Sequence, residues 1–280
     1  MELFDRTSLN CSKLITAHYS TSFTLGIKAL DKKFRMPVYA IYGFVRYADE
    51  IVDTFHDHDK KKLLDDFTRD TFIAINQKIS LNPVLHSFQM VVNKYKIEES
   101  LILAFLRSME MDLHKNNYDQ DDYEAYIYGS AEVVGLMCLR VFCEGNVADF
   151  DKLKNSARSL GSAFQKVNFL RDIRSDYKER KRVYFPDVDF EFFTVEMKKQ
   201  IEENIAADFA SALTGILQLP RGARWGVYLA YIYYTTLFKK IKKVSPSRIM
   251  EARIRVSDNR KLALLVSSYF KNIFNTIRPV

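Results

Sequence analysis

The stretch Gln165-Lys166-Val167-Asn168-Phe169-Leu170-Arg171-Asp172-Ile173-Arg174-Ser175-Asp176 decides how this chain is read. It holds no Pro or Gly, and its polar residues recur every three or four positions. On a helix, residues four apart lie nearly above one another, with Cβ atoms roughly 5–6 Å apart. Asp172 and Asp176 then share a face, and Gln165 and Asn168 lie on the same stripe. Such a row of carboxylate and amide oxygens is a hard-cation site, of the kind Mg2+ takes when it also bridges a substrate phosphate.

A second helical stretch, Tyr42-Gly43-Phe44-Val45-Arg46-Tyr47-Ala48-Asp49-Glu50-Ile51-Val52-Asp53, repeats the device with Asp49 and Asp53. Spacing alone says little, because Asp53/Asp57 and Asp66/Asp70 share it. A solvated helix face is the plainer account of those pairs. The two boxes differ in their flanks. Phe44, Val45, Ile51 and Val52 surround one, and Val167, Phe169 and Leu170 the other. Unpaired carboxylates are costly in such surroundings. Stacked like charges also repel unless a cation sits between them. Two such helices facing each other would form a magnesium–diphosphate clamp.

Around these boxes the chain reads as helical. Its 280 residues include only 9 Gly and 6 Pro, and hydrophobic residues make up 48%, enough for a sizeable core. Long Pro-free stretches rich in Leu, Ala, Lys, Glu and Phe favour helix over sheet. Helical patterns run over about 60–78, 83–94, 98–114, 121–144, 150–178, 194–217, 221–242 and 259–274. A first helix breaks at Ser20-Thr21-Ser22, and Pro37 suits the first turn of the next. Arg180 to Asp189 reads as a charged loop. With no linker and no repeat, residues 1–280 form one all-α domain.

Lys and Arg outnumber Asp and Glu by 42 to 35, a net +7 that favours anionic partners. Much of the excess lies late, in Lys239-Lys240-Ile241-Lys242-Lys243 and in Arg248, Arg253, Arg255, Arg260 and Lys261. A solvated basic face is the first account of it and peripheral membrane contact the second. No recognition motif accompanies the charge, so nucleic acid is not an expected partner. Cys11, Cys138 and Cys143 lack metal-ligand spacing and read as buried thiols in a reducing cytosol. The N-terminus has no apolar signal core. Trp225 to Phe238, the most apolar run, is shorter than the ~20 residues a spanning helix needs. A cytoplasmic location is expected, with attachment to the inner face of the membrane as the second reading.

Further residues carry chemical weight. Tyr19-Ser20-Thr21-Ser22-Phe23 is a hydroxyl cluster. Arg46 and Arg171 each precede an acidic pair, either as structural ion pairs or as planar forks for phosphate oxygens. Tyr126-Ile127-Tyr128-Gly129-Ser130-Ala131-Glu132-Val133-Val134-Gly135 is a small-residue patch suited to close helix packing or to admitting a long apolar ligand. Aromatic faces can steady carbocations through their quadrupoles.

In this order the motifs resemble the squalene/phytoene synthase family, and its bacterial phytoene synthases most. The matching elements are Tyr19-Ser20-x-Ser22-Phe23, Arg46-x-x-Asp49-x-x-x-Asp53, Tyr126 to Gly135, Gln165-x-x-Asn168-x-x-Arg171-Asp172-x-x-x-Asp176 and Arg182-x-Tyr184-x-Pro186. The resemblance runs from about residue 12 to 270. It implies an all-α isoprenoid-synthase bundle around a central apolar cavity, and a Mg2+-dependent prenyltransferase, with Mn2+ as a substitute metal and no need for NADPH. Asp49, Asp53, Asn168, Asp172 and Asp176 match the family's metal ligands. Ser20, Ser22, Arg46, Arg171 and Tyr184 match positions near the diphosphates, and Arg182 with Tyr184 a flap over the mouth. Tyr42, Tyr126 and Gln165 match residues at the reaction centre. Ser130, Glu132 and Lys181 depart from the usual residues, Lys181 standing where the flap has Gly.

The activity so implied is head-to-head condensation of two geranylgeranyl diphosphates to phytoene through a cyclopropyl diphosphate, the first committed step towards carotenoids. One rival is condensation of two farnesyl diphosphates to dehydrosqualene or squalene. A rival of another class is a non-catalytic helical assembly factor, which would be expected to lose some of the four aspartates.

Overall fold

The computed structural model describes residues 1–179, 181–186, 188 and 192–273. Arg180, Asp187 and Asp189 of the expected loop, Phe274 of the last helix and the remainder of the tail lie outside the described residues. The described residues hold thirteen α-helices. They are α1 Glu2–Tyr19, α2 Thr21–Lys28, α3 Lys32–Asp53, α4 Lys60–Gln77, α5 Pro83–Tyr95, α6 Glu99–His114 and α7 Gln120–Ile127. The series continues with α8 Val133–Phe142, α9 Val147–Arg174, α10 Val195–Gln218, α11 Arg221–Lys242, α12 Pro246–Glu251 and α13 Asp258–Ile273. Among these residues the strand-like pairing is confined to an isolated bridge between Asn117 and Val183.

Local chemistry sets most boundaries. Ser20 adopts an extended conformation, ends α1 and caps α2, its Oγ accepting from the Phe23 N–H at 3.2 Å. Asp59, Asn82, Asp119, Asn146, Thr194 and Ser245 cap later helices through their side chains. Pro37 differs from expectation. It stands inside α3 rather than in its first turn. The helix begins earlier and forgoes the one bond that a prolyl nitrogen cannot donate.

Two apolar clusters hold the bundle. Phe34, Phe44, Phe88 and Phe105 anchor one around α3, α5 and α6. Leu170, Ile205, Tyr228 and Leu237 anchor the other around α9, α10 and α11. The segment 120–142 is long and apolar enough to cross a membrane, and 56% of its most apolar window is buried within the protein. The run 225–238, too short to span and expected as a core helix, lies in α11 with Tyr228, Tyr231, Leu237 and Phe238 buried.

Between α7 and α8, residues Tyr128–Glu132 form a π-helical turn, closed by the Val133 N–H on the Tyr128 carbonyl. A second, Ser175–Glu179, prolongs α9. The first turn packs almost backbone to backbone. A Cβ on Gly129 would lie 2.5 Å from the Ala104 oxygen, and one on Gly161 of α9 would lie 2.7 Å from the Ala131 oxygen. Glycine is therefore required by close approach rather than by dihedral angle. Gly161→Ala is expected to force α9 from this turn and lower unfolding free energy by about 1–3 kcal/mol. Urea denaturation would read the change, and a loss under about 0.5 kcal/mol would mean that the contact yields freely.

Candidate active site

A cavity of about 600 Å³ is lined by residues of both clusters. Helix α9 contributes one continuous stripe: Leu153, Ala157, Leu160, Gly161, Phe164, Gln165, Asn168, Asp172 and, in the π turn, Asp176. Its rise carries that stripe about 28 Å from Leu153 to Asp172. The stripe is apolar at one end and acidic at the other. Helix α3 is graded likewise, from Val38 through Tyr42 and Val45 to Arg46, Asp49 and Asp53. Five aspartates and four arginines line the cavity: Asp49, Asp53, Asp112, Asp172 and Asp176, with Arg46, Arg171, Arg182 and Arg253.

The structure thus places Asp49, Asp53, Asn168, Asp172 and Asp176 on one cavity, together with Tyr42, Tyr126, Gln165, Arg46, Arg171 and Tyr184. Both acidic pairs stand at helix C-termini. Arg171 grips Asp172 from the adjacent position, Nε lying 3.0 Å from Oδ1 and Nη2 2.5 Å from Oδ2. Arg253 holds the same carboxylate from beyond α12, Nε to Oδ1 2.8 Å. Arg46 lies 3.8 Å from Asp49, bonds Glu50 and stacks over the Tyr19 ring at 4.4 Å. Arg182 reaches Asp53 at 3.8 Å. Asn168 Oδ1 accepts from the Tyr234 hydroxyl at 3.3 Å, and that ring stacks on Phe164 at 3.9 Å.

Burial pushes the Asp49 carboxyl up to about 7, Asp53 and Asp112 adding to the rise while Arg46 opposes it. Burial likewise raises the Tyr42 hydroxyl to about 12, aided by Asp49 and opposed by a hydrogen bond to Ser20. Burial and Asp112 hold Tyr126 far above its ordinary range. Both tyrosines are therefore neutral phenols near neutral pH.

The donor set fits a divalent hard cation. Its side chains are carboxylates and one amide, hard oxygen donors that line one cavity. Among the described residues, no three carboxylate, imidazole or thiolate groups converge on one point. The protein alone would not complete a coordination shell, so oxygens of a bound diphosphate and water would have to supply the rest. Mg2+ is commonly held in that way.

Several expected residues stand elsewhere. Neither Ser20 nor Ser22 lines this cavity. Ser20 is spent on capping α2 and on Tyr42, and Ser22 borders a small recess with Tyr233 and Lys261. Tyr184 does line the cavity, but its hydroxyl donates to Asp112 rather than facing a diphosphate site. Of the expected buried thiols only Cys143 is buried; Cys11 and Cys138 are partly exposed, and Cys138 borders the cavity. Glu132 turns away to Arg158, 2.6 Å distant, so the acidic departure leaves the cavity untouched. Ser130 does line it, with its Oγ buried and unpartnered. Lys181 has φ +55°, a left-handed conformation that explains why glycine suits the position.

Three site residues escaped the sequence reading. Arg253 was seen only as part of a basic tail, and Tyr234 only as part of an apolar run. Asp112 left a usable signal: it continues the buried stripe Phe105, Ser108, Met109 of α6, where a carboxylate is out of place.

A family model described as squalene/phytoene synthase matches residues 16–260. A chloroplastic phytoene synthase of Narcissus pseudonarcissus is 26% identical over 92% of this chain, which spans 65% of that protein. The 15-cis-phytoene synthase of a Paracoccus species is 26% identical over 88% of this chain and 86% of its own. Among solved structures, a dehydrosqualene synthase superposes with TM-score 0.81 at 21% identity, covering 98% of each chain. A squalene synthase of Alicyclobacillus acidocaldarius gives 0.74 at 18% identity, covering 85% of this chain and 94% of its own. At those identities the structural likeness bears on the fold.

Proposed function

Since this chain belongs to the squalene/phytoene synthase family, a family of prenyltransferases, we propose that it joins two geranylgeranyl diphosphates head to head to form phytoene. One observation carries the reading: a single cavity runs from apolar walls to two aspartate pairs lined up with arginines. The phytoene synthases among its relatives favour the C20 substrate. Asp49 and Asp53 on one wall, and Asn168, Asp172 and Asp176 on the other, would hold Mg2+ against the diphosphate. When bound, the metal neutralises the leaving group's charge and makes its departure easier.

The chain's own residues do the remaining work. Arg46, Arg171 and Arg253 offer planar donors to the diphosphate oxygens. Leaving of diphosphate creates an allylic cation, which the Tyr42, Phe164 and Tyr126 rings can face with their negative π surfaces. Val38, Leu153 and Leu160 exclude water that would otherwise trap the cation. The second substrate's double bond attacks, and loss of a proton closes the cyclopropane. A second ionisation, rearrangement and proton loss give the hydrocarbon.

The test is incubation with Mg2+ and either geranylgeranyl or farnesyl diphosphate, without NADPH, followed by analysis of extracted hydrocarbons. A forty-carbon hydrocarbon with a central conjugated triene from the first substrate, abolished by EDTA, is the expected result. A thirty-carbon product from the second alone would move the substrate assignment to farnesyl diphosphate. No product from either, also after adding NADPH, would leave the assembly-factor reading.

A further inference from the structure

Asp112 is 8% exposed and borders the cavity, on α6. Three tyrosine hydroxyls from three separate segments donate to it. Tyr126 of α7 reaches Oδ2 at 2.7 Å, while Tyr184 reaches Oδ1 at 3.0 Å and Tyr118 reaches it at 3.2 Å. Arg182 adds Nη1 at 3.4 Å from Oδ1 and donates from Nη2 to the Asp112 carbonyl at 2.5 Å. The three rings pack on one another, with centroids 5.0–5.2 Å apart. The Val183 N–H bonds the Asn116 carbonyl at 2.8 Å, so the whole 182–184 segment is moored to the end of α6.

A phenol has one proton to donate. Once that O–H is engaged in the bond to Asp112, the oxygen lone pairs of Tyr126 remain, and the residue borders a cavity in which positive charge is to develop. Burial raises the Asp112 carboxyl, while Arg182 and the hydroxyls of Tyr126 and Tyr184 favour its ionised form; as a carboxylate it accepts only and cannot compete by donating back. An amide in its place would present N–H to one of these oxygens and turn the phenolic O–H outward, reversing the dipole. Fixed dipoles aimed at developing charge are among the larger contributions to catalysis.

Resting on the prenyltransferase reading above, we propose that Asp112 is a positioning residue. It accepts the hydrogen bond of the Tyr126 hydroxyl, fixes that phenol with its lone pairs towards the reacting cation, and through Tyr184 and Arg182 sets the 182–184 segment over the cavity. A purely mechanical staple would show itself in melting temperature or in KM. The orientation role acts on kcat.

The test compares wild type, Asp112→Asn, Tyr126→Phe and the double variant, with Mg2+ and geranylgeranyl or farnesyl diphosphate. Asp112→Asn is expected to lower kcat ~100-fold. Its KM stays within about threefold of wild type and its melting temperature within a few degrees. The double variant is expected to be no slower than the slower single, because both changes remove one device. Wild-type kcat in Asp112→Asn, a loss confined to KM or stability, or losses that multiply in the double variant would each overturn the proposal. Should Asp112→Asn not fold, Tyr126→Phe decides, since it leaves the carboxylate with Tyr118 and Tyr184; an unchanged kcat there overturns it as well. If the wild type converts neither prenyl diphosphate, the functional reading falls and this proposal with it. A converting wild type beside an unaffected Asp112→Asn sinks the proposal alone.

Discussion

Asp172→Ala is expected to lower kcat/KM by at least ~10³-fold, about 4 kcal/mol of transition-state stabilisation, while the chain stays folded. The reason lies in where the residue sits. Asp172 is near the C-terminal end of α9, where the helix dipole disfavours a negative charge. Asp49 and Asp53 occupy the same unfavourable end of α3, whose last turn has no basic residue. Carboxylates so placed add little to the stability of their helices. Arg171, by contrast, suits its helix end and would remain there without its partner. Loss of Asp172 should then cost the fold no more than about 1–2 kcal/mol. Activity would fall because Arg171 and Arg253 lose the carboxylate that aligns them, and because the metal would lose a ligand. Thermal melting and steady-state kinetics on the same sample separate the effects. A variant retaining a tenth of wild-type activity would remove the Asp172/Asp176 box from the mechanism.

Phe44→Ala is expected to have the largest effect on stability, about 3–5 kcal/mol. Phe44 is fully buried. Its ring stacks on Phe88 at 3.9 Å, with Phe67 at 5.5 Å and Phe105 at 5.4 Å, so it joins α3 to α4, α5 and α6. Asp49 follows five residues later, about 140° around the helix. One face of α3 therefore anchors the core while the other carries the site. A domain's total stability is commonly about 5–15 kcal/mol, so this one truncation would bring the chain close to unfolding. The urea midpoint reads the loss. A cost below ~1.5 kcal/mol would mean that the neighbouring rings close over the gap.

The sequence made the helices and both acidic boxes legible because each is a local pattern: a period of about 3.6 residues, a cap, a spacing of four. The failures share a cause. Pro37 was placed in a first turn because proline's preference is local, whereas the start of α3 depends on how Lys32 to Met36 pack. Ser22 matched a motif, yet the rotation of α2 turns it to a neighbouring recess. Arg253 lies 81 residues beyond Asp172 in sequence and meets it only through the fold. Asp112 was isolated in sequence, because the partners that give it meaning come from Tyr118, Tyr126 and Tyr184. Its one local trace was a charge on a buried stripe. Glu132 departs from the family's usual residue, and only the fold shows that Arg158 draws it away.

The π-helical turn at Tyr128–Glu132 is where this part of the chain can change its length. It takes up one residue more than an α-helical turn would over about the same rotation, so the helix after it keeps its facing. Removing one residue there would let the turn close to α-helical pitch and leave Val134, Gly135 and Cys138 on the cavity. A one-residue deletion within α8 would instead turn everything beyond it by about 100°. Related chains should therefore differ by a residue at this turn more readily than in the helices on either side of it.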